Sequence, residues 1–193
     1  MADYSLLSGM VIGLEGAPNH KGMALGSIFV KDFGILRCFF KSALMAPKQV
    51  LFAEVDIYGK FLSPTSFLAQ KITILQTHFE NLEAHHHLTY AERLVKKVRE
   101  WVYDGVELDA LLVVIERAVR HLANGYNGHI VLLKALYLVC KSEGYSIVAW
   151  QSQLSEEDRL LSQKVMATRE DFEDDRLPAL TQSLEYWMSH FIS

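Results

Sequence analysis

The sequence predicts an α+β protein in which a small five-stranded β-barrel is followed by an all-α helical domain. Apolar residues recur at strand spacing between residues 6 and 77, with turn-forming clusters between the runs. From about residue 85 the apolar period changes to 3.6 residues, which is the period of amphipathic helices. The change places the domain boundary near residue 80, so the predicted domains are residues 1–80 and 81–193.

Five extended runs make up the N-terminal domain, and five short strands in so few residues are typical of a closed Greek-key barrel of the OB type. A small SH3-like barrel or an open sandwich is the alternative. Residues 31–34 are predicted to form a tight hairpin turn in which Gly34 takes a positive φ. Gly59 and Lys60 are predicted to turn the chain after the fourth run. The predicted strands are residues 7–14, 24–30, 35–40, 49–58 and 67–75.

The C-terminal domain is predicted to contain about five helices. Residues 128–143 are apolar on almost every side, and a helix without a polar face lies at the centre of its domain. Thr89 is placed to cap the first helix and Gly144 to follow the third as a C′ glycine. Ser155-Glu156-Glu157-Asp158 is predicted to start the fourth helix with acids in its first turn, where the helix dipole favours them. The five helices are predicted to begin near residues 89, 107, 128, 155 and 177.

The net charge of −4 is unevenly distributed along the chain. Residues 1–77 carry 7 Lys and Arg against 5 Asp and Glu, whereas residues 78–193 carry 12 against 18. The barrel is therefore the better candidate for contacts with phosphates. Because its positive excess is small, such binding depends on clustering of the cations and is sensitive to salt.

Several common kinds of site are not expected. The sequence has no Walker A loop, no dinucleotide-binding glycine motif, no nucleophile elbow and no zinc-protease motif, so we expect neither an enzyme nor a cofactor or small-molecule substrate. Residues 85–87 are three consecutive histidines, which do not all face one metal ion, and a zinc site needs four ligands of defined geometry. We therefore predict no metal site there and interpret these residues as a polar loop between the domains.

The compartment is inferred from the two cysteines and from the apolar runs. Cys38 and Cys140 each lie inside a predicted strand or helix, where a lone cysteine is a small buried hydrophobe, which favours a reducing compartment. No secretory signal begins the sequence. The longest apolar run, residues 130–140, is interrupted by Lys134 and is far shorter than the roughly 20 residues of a membrane span. We expect a cytoplasmic protein without a membrane partner.

Cations and aromatic residues alternate in and around the hairpin, as they do on surfaces that bind single-stranded nucleic acid. Strand alternation places one of Phe39 and Phe40 inside the barrel. On the first helix, a row of cations is a candidate to receive an acidic peptide beside a hydrophobic groove. The candidate phosphate contacts are Lys21, Lys31, Arg37, Lys41, Lys48 and Lys60, the candidate stacking residues are Phe33 and Phe39, and the candidate partner-binding residues are Arg93, Lys96 and Lys97.

The order of these parts resembles RecO, the family of bacterial recombination mediators. The resemblance is carried by the first strand at residues 9–14, the hairpin at 26–41, the strand and turn at 52–60, the apolar helix ending in Glu143-Gly144-Tyr145, and the last helix. Many members have a four-cysteine zinc module after the Gly-Tyr position. Residues 144–150 contain no cysteine, so we expect no zinc.

The resemblance implies an OB-fold, a helical domain and a non-catalytic role in DNA repair. RecO proteins bind single- and double-stranded DNA, anneal complementary strands and help to load the RecA recombinase. They also join RecR and dock the acidic C-terminal tail of single-stranded DNA-binding protein. We expect the same partners here, with single-stranded DNA preferred. The alternative is a RecO-like protein-interaction scaffold with little or no DNA binding, since the basic turn after the hairpin is reduced to Lys41 and Lys48.

Overall fold

The computed structural model describes residues 4–15, 22–41, 50–101 and 108–191. The chain divides into two compact units, Met1–Glu83 and Ala84–Ser193. The first unit holds a closed five-stranded barrel and the second is helical, so the predicted fold class is confirmed.

The barrel strands are β1 Tyr4–Glu15, β2 Met23–Val30, β3 Gly34–Lys41, β4 Glu54–Ser63 and β5 Ser66–Gln76. They follow the order β1-β2-β3-β5-β4, and β4 closes the barrel by pairing with β1. All neighbours are antiparallel except β3 and β5, which are parallel. This closed OB-type order excludes the open sandwich.

Strand alternation decides which side chains fill the barrel. On β3, Leu36, Cys38 and Phe40 belong to the buried core, whereas Arg37 and Phe39 lie on the outer side. Phe40 is therefore the inner member of the predicted pair. The core is completed by residues of the other strands and of the turn before β4, including Leu7, Val11, Ile28, Val30, Val50, Val55, Ile57 and Phe67.

The turn between β2 and β3 has the predicted backbone. Gly34 has a φ of 73°, as expected, and Asp32 also lies in the left-handed region with a φ of 64°. The amide of Phe33 donates to the Val30 carbonyl at 3.3 Å and closes the turn.

The prediction for the fourth strand is wrong at both ends. Residues 50–53 form a turn instead of strand, with Phe52 at a φ of 60° and its amide donating to the Val11 carbonyl at 2.8 Å. Gly59 and Lys60 lie within β4, and the chain reverses at Pro64 and Thr65. A Cβ atom on Gly59 would lie 2.0 Å from the Leu68 carbonyl oxygen. The glycine therefore permits close approach of β4 and β5.

Seven helices occur in the described residues. The first long helix begins at Leu88, so Thr89 lies inside it and is not the predicted cap, whereas the next begins at Leu108, close to the predicted residue 107. Two short helices, of six and five residues, were not predicted because so few residues do not show a helical period. The helices are α1 Phe79–Ala84, α2 Leu88–Trp101, α3 Leu108–Ala123, α4 Gly128–Ser142, α5 Ile147–Gln151, α6 Glu156–Ala167 and α7 Leu177–Phe191. The predicted loop at 16–20, the linker at 42–48 and the turn at Asp104 and Gly105 fall outside the described residues.

Helix α4 is central, as its apolar sequence predicts. It contacts α2, α3, α5, α6 and α7. The Asn127 side chain caps it by accepting from the amides of His129 and Ile130. Gly144 follows its end with a φ of 77°, which confirms the predicted C′ glycine.

The first turn of α4 contains a half-buried histidine, His129, beside Tyr90. The Tyr90 hydroxyl and His129 Nε2 lie 3.0 Å apart, within hydrogen-bonding distance. Burial lowers the pKa of His129, and the Arg93 charge lowers it further, against the opposing effect of Glu173 and Glu185. The folded protein therefore favours the neutral imidazole more than the unfolded chain does.

The free energy of unfolding is expected to fall as pH decreases from about 7 to about 5, because below the ordinary His pKa of about 6.5 the unfolded chain binds more protons at this position. The variant His129→Gln removes this contribution, so its urea unfolding curves should change less over the same pH range. An unchanged pH dependence in the variant contradicts the assignment to His129.

Candidate nucleic-acid interface

The outer side of β3 presents Arg37, Phe39 and Lys41 in one line. Arg37 and Lys41 are exposed and Phe39 is half-buried between them. Alternate residues of a strand lie about 7 Å apart, so the two cations are separated by about 13 Å along β3. This order of cation, aromatic ring and cation is the one the sequence predicts.

A fourth predicted residue lies across the barrel surface from Phe39. In the strand register, Phe39 pairs with Leu68 on β5, and Leu68 pairs with Lys60 on β4. Lys60 is therefore two strands away from Phe39 in the same row, a distance of about 10 Å along the surface. We refer to Arg37, Phe39, Lys41 and Lys60 together as the barrel face.

The turn between β4 and β5 adjoins the barrel face. The Arg37 amide donates to the Thr65 carbonyl at 2.9 Å, and Arg37 pairs with Ser66 in the register. In OB-folds the loop between the fourth and fifth strands borders the ligand-binding surface. Arg37 lies at that border in this barrel.

Two other predicted residues, Lys31 and Phe33, lie in the turn at the tip of the β2–β3 hairpin, away from this row. Both are exposed, but the Phe33 ring also packs against Phe61 with ring centroids 5.1 Å apart. Phe61 in turn meets Phe67 of the core edge to face. Phe33 therefore helps to close this end of the barrel. Lys21 and Lys48 fall outside the described residues.

Three outward residues of the neighbouring strands were not predicted from the sequence. Tyr4 on β1, Tyr58 on β4 and Lys71 on β5 are exposed and lie on the same side of the sheet as Lys60. Alternation along β4 places Tyr58 and Lys60 on the same outward side, and this pattern could have identified Tyr58. The predicted turn at Gly59 and Lys60 ended the strand too early to show it.

Two acidic residues of β4, Asp56 and Glu54, have hydrogen-bonding partners on the barrel. The Ser8 hydroxyl donates to Asp56 at 2.6 Å, and Glu54 lies 3.2 Å from the buried His78 ring. Both carboxylates thus have a local hydrogen-bonding role on the barrel.

The cations predicted to bind a partner lie on α2. Arg93 donates to both carboxylate oxygens of Glu185 on α7, at 3.2 and 2.6 Å. Lys97 donates to Glu100 at 3.0 Å and to Ser189 at 2.9 Å, and Lys96 is exposed. Two of the three side chains therefore tie elements of the helical unit together.

A groove of about 390 Å³ lies between α3 and α4 in the helical unit, and its lining does not include the α2 cations. Apolar side chains form most of its wall, among them Val114, Ala118, Ile130, Val131 and Leu138. Its polar lining contains Arg117, Lys134, Arg169, Glu170 and Asp171.

We call this groove the α3–α4 groove. Some of its polar groups already have hydrogen-bonding partners, whereas others are exposed to solvent. The Lys134 ammonium donates to the Thr168 carbonyl at 2.6 Å, and burial lowers its pKa. Asp171 accepts from the Asn127 amide at 2.9 and 3.0 Å. Arg117 and Arg169 are exposed at the surface.

Neither cysteine has the properties of a catalytic thiol. Burial raises the pKa of Cys38 and of Cys140 to about 12, so both thiols are protonated near neutral pH. Within the ranges that the structure describes, no group of three or more His, Cys, Asp or Glu side chains is placed to hold a metal ion. The His87 ring instead lies 2.9 Å from the Leu122 carbonyl through its Nδ1.

No protein-family model matches the chain, and no curated protein matches it either. In the described part of the chain, every helix is too short or too polar to cross a bilayer. The barrel face and the α3–α4 groove are the two surfaces whose chemistry bears on function.

Proposed function

We propose that this protein is a non-catalytic, RecO-like mediator of DNA repair and recombination that acts in the cytoplasm and binds single-stranded DNA through its barrel face. In this role it helps to anneal strands or to load a recombinase. The observation that carries the proposal is the line of Arg37, Phe39 and Lys41 on β3, with Lys60 in the same row as Phe39.

The chemistry of this surface suits a single strand. The three cations contact phosphates, and the half-buried Phe39 offers a ring on which a base can stack, worth about 1–3 kcal/mol. Stacking of this kind needs a base that is free of its partner strand. Double-stranded DNA offers the phosphates but not the base faces, so it is bound more weakly.

The proposal is tested by fluorescence anisotropy of a labelled oligothymidine titrated with the full chain. Three phosphate contacts give a salt slope of about −2 for a single strand, so affinity is expected to fall about 20-fold between about 50 and about 200 mM salt. A duplex of equal length serves as the competitor and is expected to displace the oligothymidine poorly. No binding at the lower salt concentration contradicts the proposal.

A protein-interaction role is the second candidate, and the α3–α4 groove is the observation that favours it. Its apolar wall accepts an apolar side chain, while Arg117 and Arg169 are exposed to receive carboxylates. The occupant we propose is the acidic C-terminal tail of single-stranded DNA-binding protein. We propose the groove rather than the α2 cations as the partner site, because Arg93 and Lys97 on α2 already have partners within the helical unit. A RecR-like partner is expected from the resemblance alone.

Leu138→Glu is expected to weaken binding of a labelled tail peptide at least 10-fold, about 1.4 kcal/mol, because it brings a carboxylate into the groove. Leu138 is 46% exposed, so the fold tolerates the change. The matched control is Val148→Glu, at an α5 position that is 72% exposed and outside the groove. Equal peptide affinities of the two variants contradict this site. Single-strand affinity should be the same in both.

A further inference from the structure

Two tyrosines are stacked on each other on the outside of the barrel. The rings of Tyr4 and Tyr58 have centroids 5.4 Å apart and planes only 14° from parallel. Tyr4 is 46% exposed and Tyr58 is 41% exposed, so ring surface that the stack does not cover reaches solvent. An ordered aromatic surface of this kind is available to a further flat ring.

The strand register explains how the pair is held. Tyr4 on β1 pairs with Lys60, and Tyr58 pairs with Leu6 on one side and with Lys71 on the other. The two tyrosines are thus diagonal neighbours on adjacent strands, within reach of each other. The Gln70 amide donates to the Tyr4 hydroxyl at 3.1 Å and fixes the ring from β5.

Cations outnumber carboxylates around the pair. Lys60 and Lys71 are the direct strand neighbours of Tyr4 and Tyr58, respectively. The nearest carboxylate along β4, Asp56, is bound by the Ser8 hydroxyl. Exposed Leu6 adds apolar surface beside the rings. A ligand with flat rings and regularly spaced negative charges matches this combination.

The pair also continues the barrel face. The row from Phe39 runs through Leu68 and Lys60 to Tyr4, so it crosses β3, β5, β4 and β1. Three strand spacings make this path about 14 Å long. OB-folds bind about 4–16 nucleotides, so a path of this length lies within one binding site.

We infer that the Tyr4–Tyr58 pair is a second base-stacking position on the path of the single strand, and that Lys71 is an additional phosphate contact beside it. This inference rests on the proposed function and deepens it. A base stacks on the exposed surface of Tyr58 while the adjoining phosphates lie near Lys60 and Lys71. The strand then crosses the barrel from β3 to β1.

The test compares Tyr58→Ala with Tyr58→Phe in the anisotropy titration of oligothymidine. Loss of the ring is expected to weaken binding about 5- to 150-fold, the range measured for single stacked bases, whereas phenylalanine keeps the ring and the affinity. Because stacking releases no counterions, the loss should be the same at about 50 and about 200 mM salt.

Lys71→Gln is the second variant, and its exposed position leaves the fold intact. It is expected to make the salt slope about 0.7 less steep, whereas Lys141→Gln on the exposed side of α4 leaves the slope unchanged. If both Tyr58→Ala and Lys71→Gln bind with wild-type affinity, the inference is wrong. The proposed function is still supported in that case if neutralising Arg37 and Lys41 weakens binding. If the wild-type protein does not bind the oligonucleotide, both proposals fail.

Discussion

Changing Arg37, Lys41 and Lys60 together to glutamine is expected to lower the affinity for single-stranded DNA about 100-fold at 0.1 M salt. Each phosphate contact in a single strand contributes about 0.7 to the slope of log affinity against log salt, so three contacts contribute about 2. A slope of that size corresponds to about two decades of affinity between 0.1 and 1 M salt. The measurement is the anisotropy titration repeated over a series of salt concentrations.

The matched control changes Arg99, Lys141 and Arg159 to glutamine. These side chains are exposed in the helical unit, and the substitution alters the net charge by the same amount. If general attraction to a polyanion explains binding, the two triple variants should lose affinity equally. That outcome contradicts binding at the barrel face, whereas a loss of affinity confined to the triple variant of Arg37, Lys41 and Lys60 supports it.

Gly59→Ala is expected to destabilise the barrel by at least about 3 kcal/mol, which exceeds the usual cost of an overpacked core. The new Cβ would lie 2.0 Å from the Leu68 carbonyl oxygen and 2.8 Å from the Phe67 ring. The carbonyl belongs to the backbone of β5, so it moves only if the pairing of β4 with β5 is disturbed. Urea unfolding followed by circular dichroism measures the effect.

Gly144→Ala is the control for this substitution. Gly144 has a φ of 77°, but a Cβ there meets no atom within 4 Å. The expected cost is therefore only the strain of the left-handed backbone, about 1–2 kcal/mol. If the two alanine variants unfold at the same urea concentration, close strand approach is not the reason for glycine at position 59.

The barrel and the central helix were predictable because each follows from local patterns. Strand spacing and turn clusters indicated five strands, and the apolar residues of α4 indicated a buried helix. The course of β4 was not predictable in the same way. A glycine signals both a turn and a close approach, and only the position of the Leu68 carbonyl distinguishes the two at Gly59.

The candidate site was predictable only for the residues that lie on a single strand. Alternation along β3 places Arg37, Phe39 and Lys41 on one side. The position of the predicted Lys60 in the row of Phe39, and the addition of Lys71, depend on pairing between strands. The irregularity between Tyr58 and Gly59 shifts that pairing. Likewise, the sequence does not show that Arg93 meets Glu185, which lies 92 positions further along the chain.

The most direct test of the central claim is ultraviolet crosslinking of the full chain to an oligonucleotide that contains 5-iododeoxyuridine, followed by mass spectrometry of the crosslinked peptides. The proposed barrel site is expected to give crosslinks to aromatic residues on the outside of the barrel, at Phe39 of the barrel face and at Tyr58 of the tyrosine pair. Crosslinks confined to residues 84–193 contradict it, because they place the nucleic acid on the helical unit.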